Sequence, residues 1–370
     1  MDGKQLQSQY KDHLSDFQNW DQRAHAQEYI LYPKNMGYRL CIDETALSKG
    51  DLYTILINRD KRGRKGSIIA VIQGTKTDDI IAVLTKMPQE LRNQVKEITL
   101  DMAGSMQKIA KTCFPRAMQV IDRFHVQKLV YEAVQELRIT YRWQVIKEEN
   151  KAMKAAKEKG EVYKAEELEN GDTLRQLLAR SRYLLFKSPD KWTKSQKIRA
   201  ELLFKQFEDI KHVYYYSLEL GKIFSTNYDK DVARAKLALW YNKIEEYGYD
   251  TFTTVANSIE NHYERILNFF VNRSTNAAAE AFNAKIKAFR ASFRGVVDMS
   301  FPFFKLLQVY REKSGCISGE PAPFFQFIST DDFPSLMFPL ILFGVLNVVL
   351  CLCFRFSVSC LFVSHDLLIF

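Results

Sequence analysis

The feature that most limits how this chain can fold is a change of period near residue 125. Between Tyr38 and Asp122 the sequence is a series of short β-prone runs, whereas residues 126–272 carry almost no strand signal. RLCIDETAL (39–47), DLYTILINR (51–59) and GSIIAVIQG (66–74) are rich in Ile, Leu, Val, Tyr and Thr. The turn-like pieces SKG (48–50) and DKRGRKG (60–66) separate them, which predicts an antiparallel meander. TDDIIAVLTKM (77–87) then reads as a helix with Thr77 as its cap, and KEITLD (96–101) as a fourth strand. SMQKIAKTCF (105–114) reads as a helix that must end before Pro115, and MQVID (118–122) as a fifth strand. Three antiparallel strands followed by alternating helix and strand predict a mixed α/β sheet.

Helical spacing dominates from His125 onward. Val126, Leu129, Val130, Ala133 and Leu137 recur on one face, and the charged stretch 147–171 is helix-prone and solvent-facing. Further helices are expected within 173–186, 197–207, 232–244 and 258–270. Residues 274–294 form the most strongly patterned helix: Phe282, Ile286, Phe289 and Phe293 make one apolar stripe. At about 100° per residue Glu280 falls on the opposite side, with Lys287 beside it and Asn276, Asn283 and Arg294 nearby. Residues 1–38 read as an N-terminal arm or short helix. From Phe333 the chain becomes a Phe/Leu/Val/Cys-rich tail whose uncharged run, 333–354, meets the length criterion for a membrane span.

Composition narrows the function classes. The chain has 370 residues, 53 Lys and Arg against 44 Asp and Glu, and a net charge of +9, a moderate bias toward polyanionic partners. Its six cysteines (41, 113, 316, 351, 353 and 360) have neither zinc-knuckle spacing nor a disulfide framework, and the N-terminus reads as polar without a signal peptide. A reducing cytoplasm is the expected compartment. The sequence contains no Walker A motif, Rossmann glycine pattern or HExxH.

Three acids interrupt apolar patterns: Asp43 in the first strand, Asp101 closing KEITLD, and Glu280 on the 274–294 helix. Strand-end carboxylates converging with one on a helix make an oxygen-rich pocket suited to two Mg²⁺ or Mn²⁺ ions and to phosphoryl transfer. Glu44 is the alternative at the first position, but adjacent strand residues face opposite ways, so only one of the two can line the site. In DRFH (122–125), Asp122 reads as a helix cap, and His125 either orients that helix or positions a phosphate and assists proton transfer. Arg59, Lys61, Arg62, Arg64 and Lys65 crowd one hairpin turn, and Lys285, Lys287, Arg290 and Arg294 flank the Glu280 helix. Both groups are expected to border the catalytic face and to contact DNA phosphates. Trp192, Trp240 and Tyr214–Tyr216 could stack on unpaired bases, although aromatics at helical spacing more often form core.

CIDE (41–44), TLDMAGSM (99–106), DRFHVQKL (122–129) and NRSTNAAAEAFNAKIKAF (272–289) together resemble the catalytic core of bacterial insertion-sequence transposases of the DDE class. The similarity is to the ISL-three family, in the subset where a separate small reading frame encodes the DNA-binding part. RITYRW (138–143) and residues 170–192 share it, so the resemblance covers roughly residues 1–310. It implies an RNase H-like core interrupted by a large all-helical insertion, with Asp43, Asp101 and Glu280 as an Asp-Asp-Glu triad holding two Mg²⁺ or Mn²⁺ ions. Asp122, His125, Asn276 and Asn283 would support that triad. The organisation expected is an arm (1–38), the first part of the core (39–125), the helical insertion (126–272), the returning helix with the third acid (273–312) and the atypical tail (313–370). The function implied is metal-dependent cleavage and strand transfer of double-stranded DNA, at element ends and target, by a homo-oligomer on paired ends in the cytoplasm, associated with the nucleoid. With no zinc ribbon or helix-turn-helix ahead of residue 38, recognition of those ends is expected from a separate DNA-binding protein. The resemblance fades after about Tyr310, and the tail reads as readthrough or frameshifted translation in preference to a membrane anchor. The competing readings are an inactive remnant that only binds DNA and a tail-anchored helical membrane protein.

Overall fold

Six strands build the sheet of the computed structural model, which describes residues 3–46, 51–248, 250–292 and 299–308. The strands are β1 (Tyr29–Leu31), β2 (Arg39–Ala46), β3 (Leu52–Asn58), β4 (Ile68–Gln73), β5 (Glu97–Leu100) and β6 (Met118–Ile121). Their order is β1-β4-β3-β2-β5-β6. β1 through β2 pair antiparallel, and β2, β5 and β6 pair parallel. The expected meander and the two added parallel strands are therefore present, and the architecture is the mixed sheet of an RNase H-like core. The N-terminal arm contributes more than expected: after a short helix α1 (Gly3–Gln9), Tyr29–Leu31 adds an edge strand beside β4. Three residues are too few to show a period-2 pattern, so the pairing is set by the neighbouring strand.

The crossovers are helical, as a parallel pairing requires. α2 (Thr77–Leu84) and α3 (Gln89–Asn93) lead into β5, and α4 (Gly104–Cys113) links β5 to β6. Thr77 is not the cap of α2: Lys76 holds that position without a side-chain bond, and Asp78 and Asp79 favour the helix start through their charge.

α5 (Arg123–Glu158) opens the helical block at Asp122, whose side chain accepts from the Phe124 amide. The block continues through α6 (Leu174–Arg180), α7 (Lys194–Gln206), α8 (Glu208–Thr226), α9 (Lys230–Tyr247), α10 (Asp250–Asn261), α11 (Tyr263–Leu267) and α12 (Phe269–Asn272). α13 (Ala277–Ser292) returns to the sheet, and α14 (Ser300–Gln308) follows. No strand interrupts 126–272 among the described residues, as the sequence pattern predicts.

Alternation along β2 separates two cores. Leu40 and Ile42 belong to an apolar cluster that runs on through α4, α5 and the block as far as Tyr214 and Trp240. Cys41 faces the other way, with Ile55, Ile57 and Val71, under Ala279, Phe282 and Ile286 of α13 and the Phe-rich α14. The arm closes this second core with Phe17 and Trp20. Met1–Glu312 forms one compact unit. The hydrophobic tail lies outside the described residues; among those described, no helix is long and apolar enough to cross a membrane.

Candidate active site

The parallel register sets the level of the acids. Cys41 pairs with Thr99, and Thr99 with Val120. Asp43, Asp101 and Asp122 each follow their rung by two residues, so all three stand at one level where β2, β5 and β6 point the same way. Neighbouring strands are about 4.8 Å apart. Carboxyl ends of adjacent parallel strands are a recurrent place for ligand sites, because loops and helix starts converge there.

Asp43 shares the Cys41 face and so looks toward α13. Its Oδ1 accepts from the Glu44 amide at 2.9 Å and its Oδ2 from the Asn283 side-chain amide at 2.7 Å. Asn276 ties the start of α13 to the same strand, donating to the Ile42 carbonyl at 3.3 Å. Burial, opposed by His125 and by the Glu44 amide and reinforced by the charges of Asp101 and Glu280, pushes the Asp43 carboxyl up to about 6. Asp43 thus lies within electrostatic reach of both other acids. Asp101 Oδ1 accepts from the Ala103 amide at 2.9 Å, and Glu280 is exposed on the first turn of α13. Glu44 is exposed beside them, raised by burial and then by Asp101 and Asp43. Cys41 offers no nucleophile, since burial pushes its thiol up to about 12.

Asp122 is fully buried, and one of its oxygens caps α5. The other stands 3.5 Å from His125 Nδ1, a charge pair longer than a good hydrogen bond. Pairing with Asp122 raises the His125 pKa against the opposing effect of burial, and the charges of Asp122, Asp101 and Asp43 add to the rise. The row of aspartates therefore favours the protonated form of this imidazole. Asp122 Oδ2, His125 Nδ1, Asn276 Oδ1 and Asn283 Oδ1 are all buried without a hydrogen-bond partner.

An all-carboxylate donor set matches hard divalent cations. A carboxyl raised to about 6 by burial, with its acidic neighbours adding to the rise, and buried polar atoms left unsatisfied around it, fit a site completed by positive charge. Among the described residues, as placed, no three His, Cys, Asp or Glu side chains stand at coordinating distance of one point.

The cationic groups divide. Arg59 does not face outward: its guanidinium pairs with the buried Glu97 at 2.7 Å and donates to Thr99 Oγ1 at 3.1 Å. Lys61, Arg62, Arg64 and Lys65 are exposed, but their turn joins β3 to β4 beside the start of β2, where Leu40 pairs with Asn58. Successive turns of a meander alternate ends, so this hairpin lies at the opposite end of the sheet from the acids and does not border them. The turn expected at SKG (48–50) lies outside the described residues. Lys285 and Lys287 are exposed on α13. The Arg290 side chain and all of Arg294 lie outside the described residues.

Among the aromatic candidates Tyr215 is exposed, Trp192 and Tyr216 are half-buried, and the other two are core. Trp240 and Tyr214 are fully buried, donating to the Tyr216 and Lys187 carbonyls, and Trp192 stacks on Tyr214. Two residues escaped the sequence reading. Glu97 is buried and also accepts from Asn272 at 2.7 Å and from Ser274, which anchors the chain just before α13. Trp143 is 66% exposed. A charge within KEITLD, an otherwise apolar strand, was the available signal for Glu97.

A mixed sheet with acids at the carboxyl ends of its parallel strands and another acid on the returning helix is the architecture of an RNase H-like core. The chain matches the ISL3 (ISL-three) family of DDE transposases over residues 40–306, and belongs to it. It is also 23% identical over 269 residues to the transposase for insertion sequence element IS1001 of Bordetella parapertussis. That alignment covers 72% of this chain and 59% of the relative's length. No solved structure matches.

Proposed function

We propose that the chain is the catalytic part of a transposase, cutting DNA at insertion-sequence ends and transferring the freed 3′-hydroxyl to target DNA. The observation that carries this reading is the register that sets Asp43 and Asp101 at one level on neighbouring parallel strands, with Asn283 of α13, the helix bearing Glu280, donating to Asp43. Asp43, Asp101 and Glu280 would hold two Mg²⁺ or Mn²⁺ ions, which when bound activate an oxygen nucleophile and stabilise the leaving oxygen. Asn283 holds the Asp43 carboxylate in place, and the Ala103 amide fixes one Asp101 oxygen, leaving its second toward the site. His125, whose pKa is raised by pairing with Asp122, would offer its imidazole to a phosphate of the bound strand.

The substrate is double-stranded DNA, the compartment the cytoplasm at the nucleoid, and the working form an oligomer on paired ends with a separate end-recognition protein. The boundaries 39–125, 126–272 and 273–312 divide core, insertion and return. The test is cleavage and joining of a labelled duplex carrying the element ends, with Mg²⁺ and the companion protein present. Products that vanish with EDTA and with Asp101→Asn support the reading. Products that persist in Asp101→Asn overturn the assignment of the acids.

A further inference from the structure

The outer end of α5 is chemically unlike the rest of the helical block. Val145 is the last buried residue on the helix, so the residues from Ile146 to Glu158, about 20 Å of helix, project without a core of their own. One stripe of this projection carries Trp143, Ile146, Lys147, Asn150, Lys151 and Lys154, which line a shallow groove of about 310 Å³. Trp143 is 66% exposed, and Ile139, one turn earlier on the same stripe, is 42% exposed. Two exposed apolar residues on one stripe are costly unless something covers them.

Charge indicates what covers them. Some cations of the block meet acids: Arg180 and Arg199 pair with Asp172, Lys230 and Arg234 with Glu264, and Lys243 with Glu219. None of the stripe residues from Trp143 to Lys154 is a carboxylate; Glu148 lies about 60° round the helix from Lys151, and Glu158 follows Lys154 by one turn. Glu149, on another face, turns to Arg175 at 3.7 Å. Lys147, Lys151 and Lys154 have no ion-pair partner among the described residues. Lys147 to Lys154 spans about 10 Å along the axis. That is close to three steps of the roughly 3.4 Å rise between phosphates of one DNA strand.

We infer that this stripe is a DNA-binding face, with Lys147, Lys151 and Lys154 on phosphates within a run of four on one strand and Trp143 stacked on an unpaired base beside them. The inference rests on the proposed action on DNA and adds a contact on the helical block, on a helix whose first turn borders the acids. Lysine supplies sequence-independent affinity through counterion release, and an exposed indole gives a stacking platform that any base can use.

The test is equilibrium binding by the full chain carrying Asp101→Asn, which removes cleavage from the readout. The probes are a labelled duplex and the same duplex with a single-stranded overhang, over a range of salt. Replacing Lys147, Lys151 and Lys154 together by Gln should reduce the slope of log affinity against log salt by about 2.7. Trp143→Ala should weaken overhang binding about tenfold and duplex binding little. All four side chains are exposed, so the variants should keep the parent's Tm, which is checked alongside. An unchanged slope beside normal parent binding overturns the inference alone. So does a variant whose DNA binding is intact but whose sedimentation changes, which would mark a protein interface. A parent that binds neither probe overturns this inference and the DNA reading together. Failure of the wild-type chain to cut, with binding and slope change as expected, overturns only the assignment of the acids.

Discussion

Asp101 stands at the level of Asp43 because Cys41 pairs with Thr99, and each aspartate follows its partner by two residues. Their common level is set by the strand register and not by their separation in sequence. A helix crossover of any other length would leave the register, and hence the level, unchanged. Asp101→Asn keeps the oxygen that accepts from the Ala103 amide, so the fold should survive with little loss of Tm. Metal-dependent cleavage should fall at least about a hundredfold, equivalent to about 2.7 kcal/mol of transition-state stabilisation. Gel resolution of cleaved duplex, alongside a melting curve, checks both halves.

Asp43 makes the site pH-sensitive before any cation binds. Its folded pKa, about 6, lies above the ordinary aspartate value, so the folded state binds the extra proton and stability falls as pH rises from about 4 to 6. Asp43→Asn removes the buried charge and its repulsion from Asp101 and Glu280. After discounting for its partial exposure, the variant should gain about 1 kcal/mol at pH 8 and nothing at pH 4. Urea melts at the two pH values measure this, and an equal effect at both would contradict it.

Much of this arrangement was legible in the sequence, for identifiable reasons. The meander, the two parallel strands and the strand-free block follow from periods that persist over many residues. The three acids stood out because each breaks an apolar pattern. Position relative to the sheet was harder to read. The basic hairpin 59–65 is expected from its composition to border the catalytic face, yet the alternation of turns carries it to the far end. Arg59 read as a surface cation because sequence does not reveal that Glu97, 38 residues on, is buried beside it. β1 was invisible because three residues carry no period.

Glu97 should therefore act as the clamp for the helix bearing Glu280. It holds Arg59 from the hairpin, and Asn272 and Ser274 from the segment before α13. Glu97→Ala strands the Arg59 charge in the interior and should cost about 3–5 kcal/mol. Glu97→Gln keeps an acceptor for Asn272 or Ser274 and should recover part of that loss. Chemical denaturation of the two variants orders them, and equal destabilisation would show that charge alone matters at this position.

His125 gives the last prediction, since its state reports the aspartate row without any assay of activity. Pairing with Asp122 raises its pKa against burial, with Asp101 and Asp43 adding to the rise. A raised histidine stabilises the fold fully below about 6.5, the unfolded value, and that contribution is lost as pH rises through the folded pKa. Asp122→Asn retains an oxygen to cap α5 through the Phe124 amide, so the helix start should persist. It removes the nearest negative charge, 3.5 Å away, and the imidazole should then titrate lower. NMR titration of the His125 ring, in the parent and in Asp122→Asn, measures the shift. An unmoved titration would mean that Asp101 and Asp43, and not Asp122, hold the proton on His125.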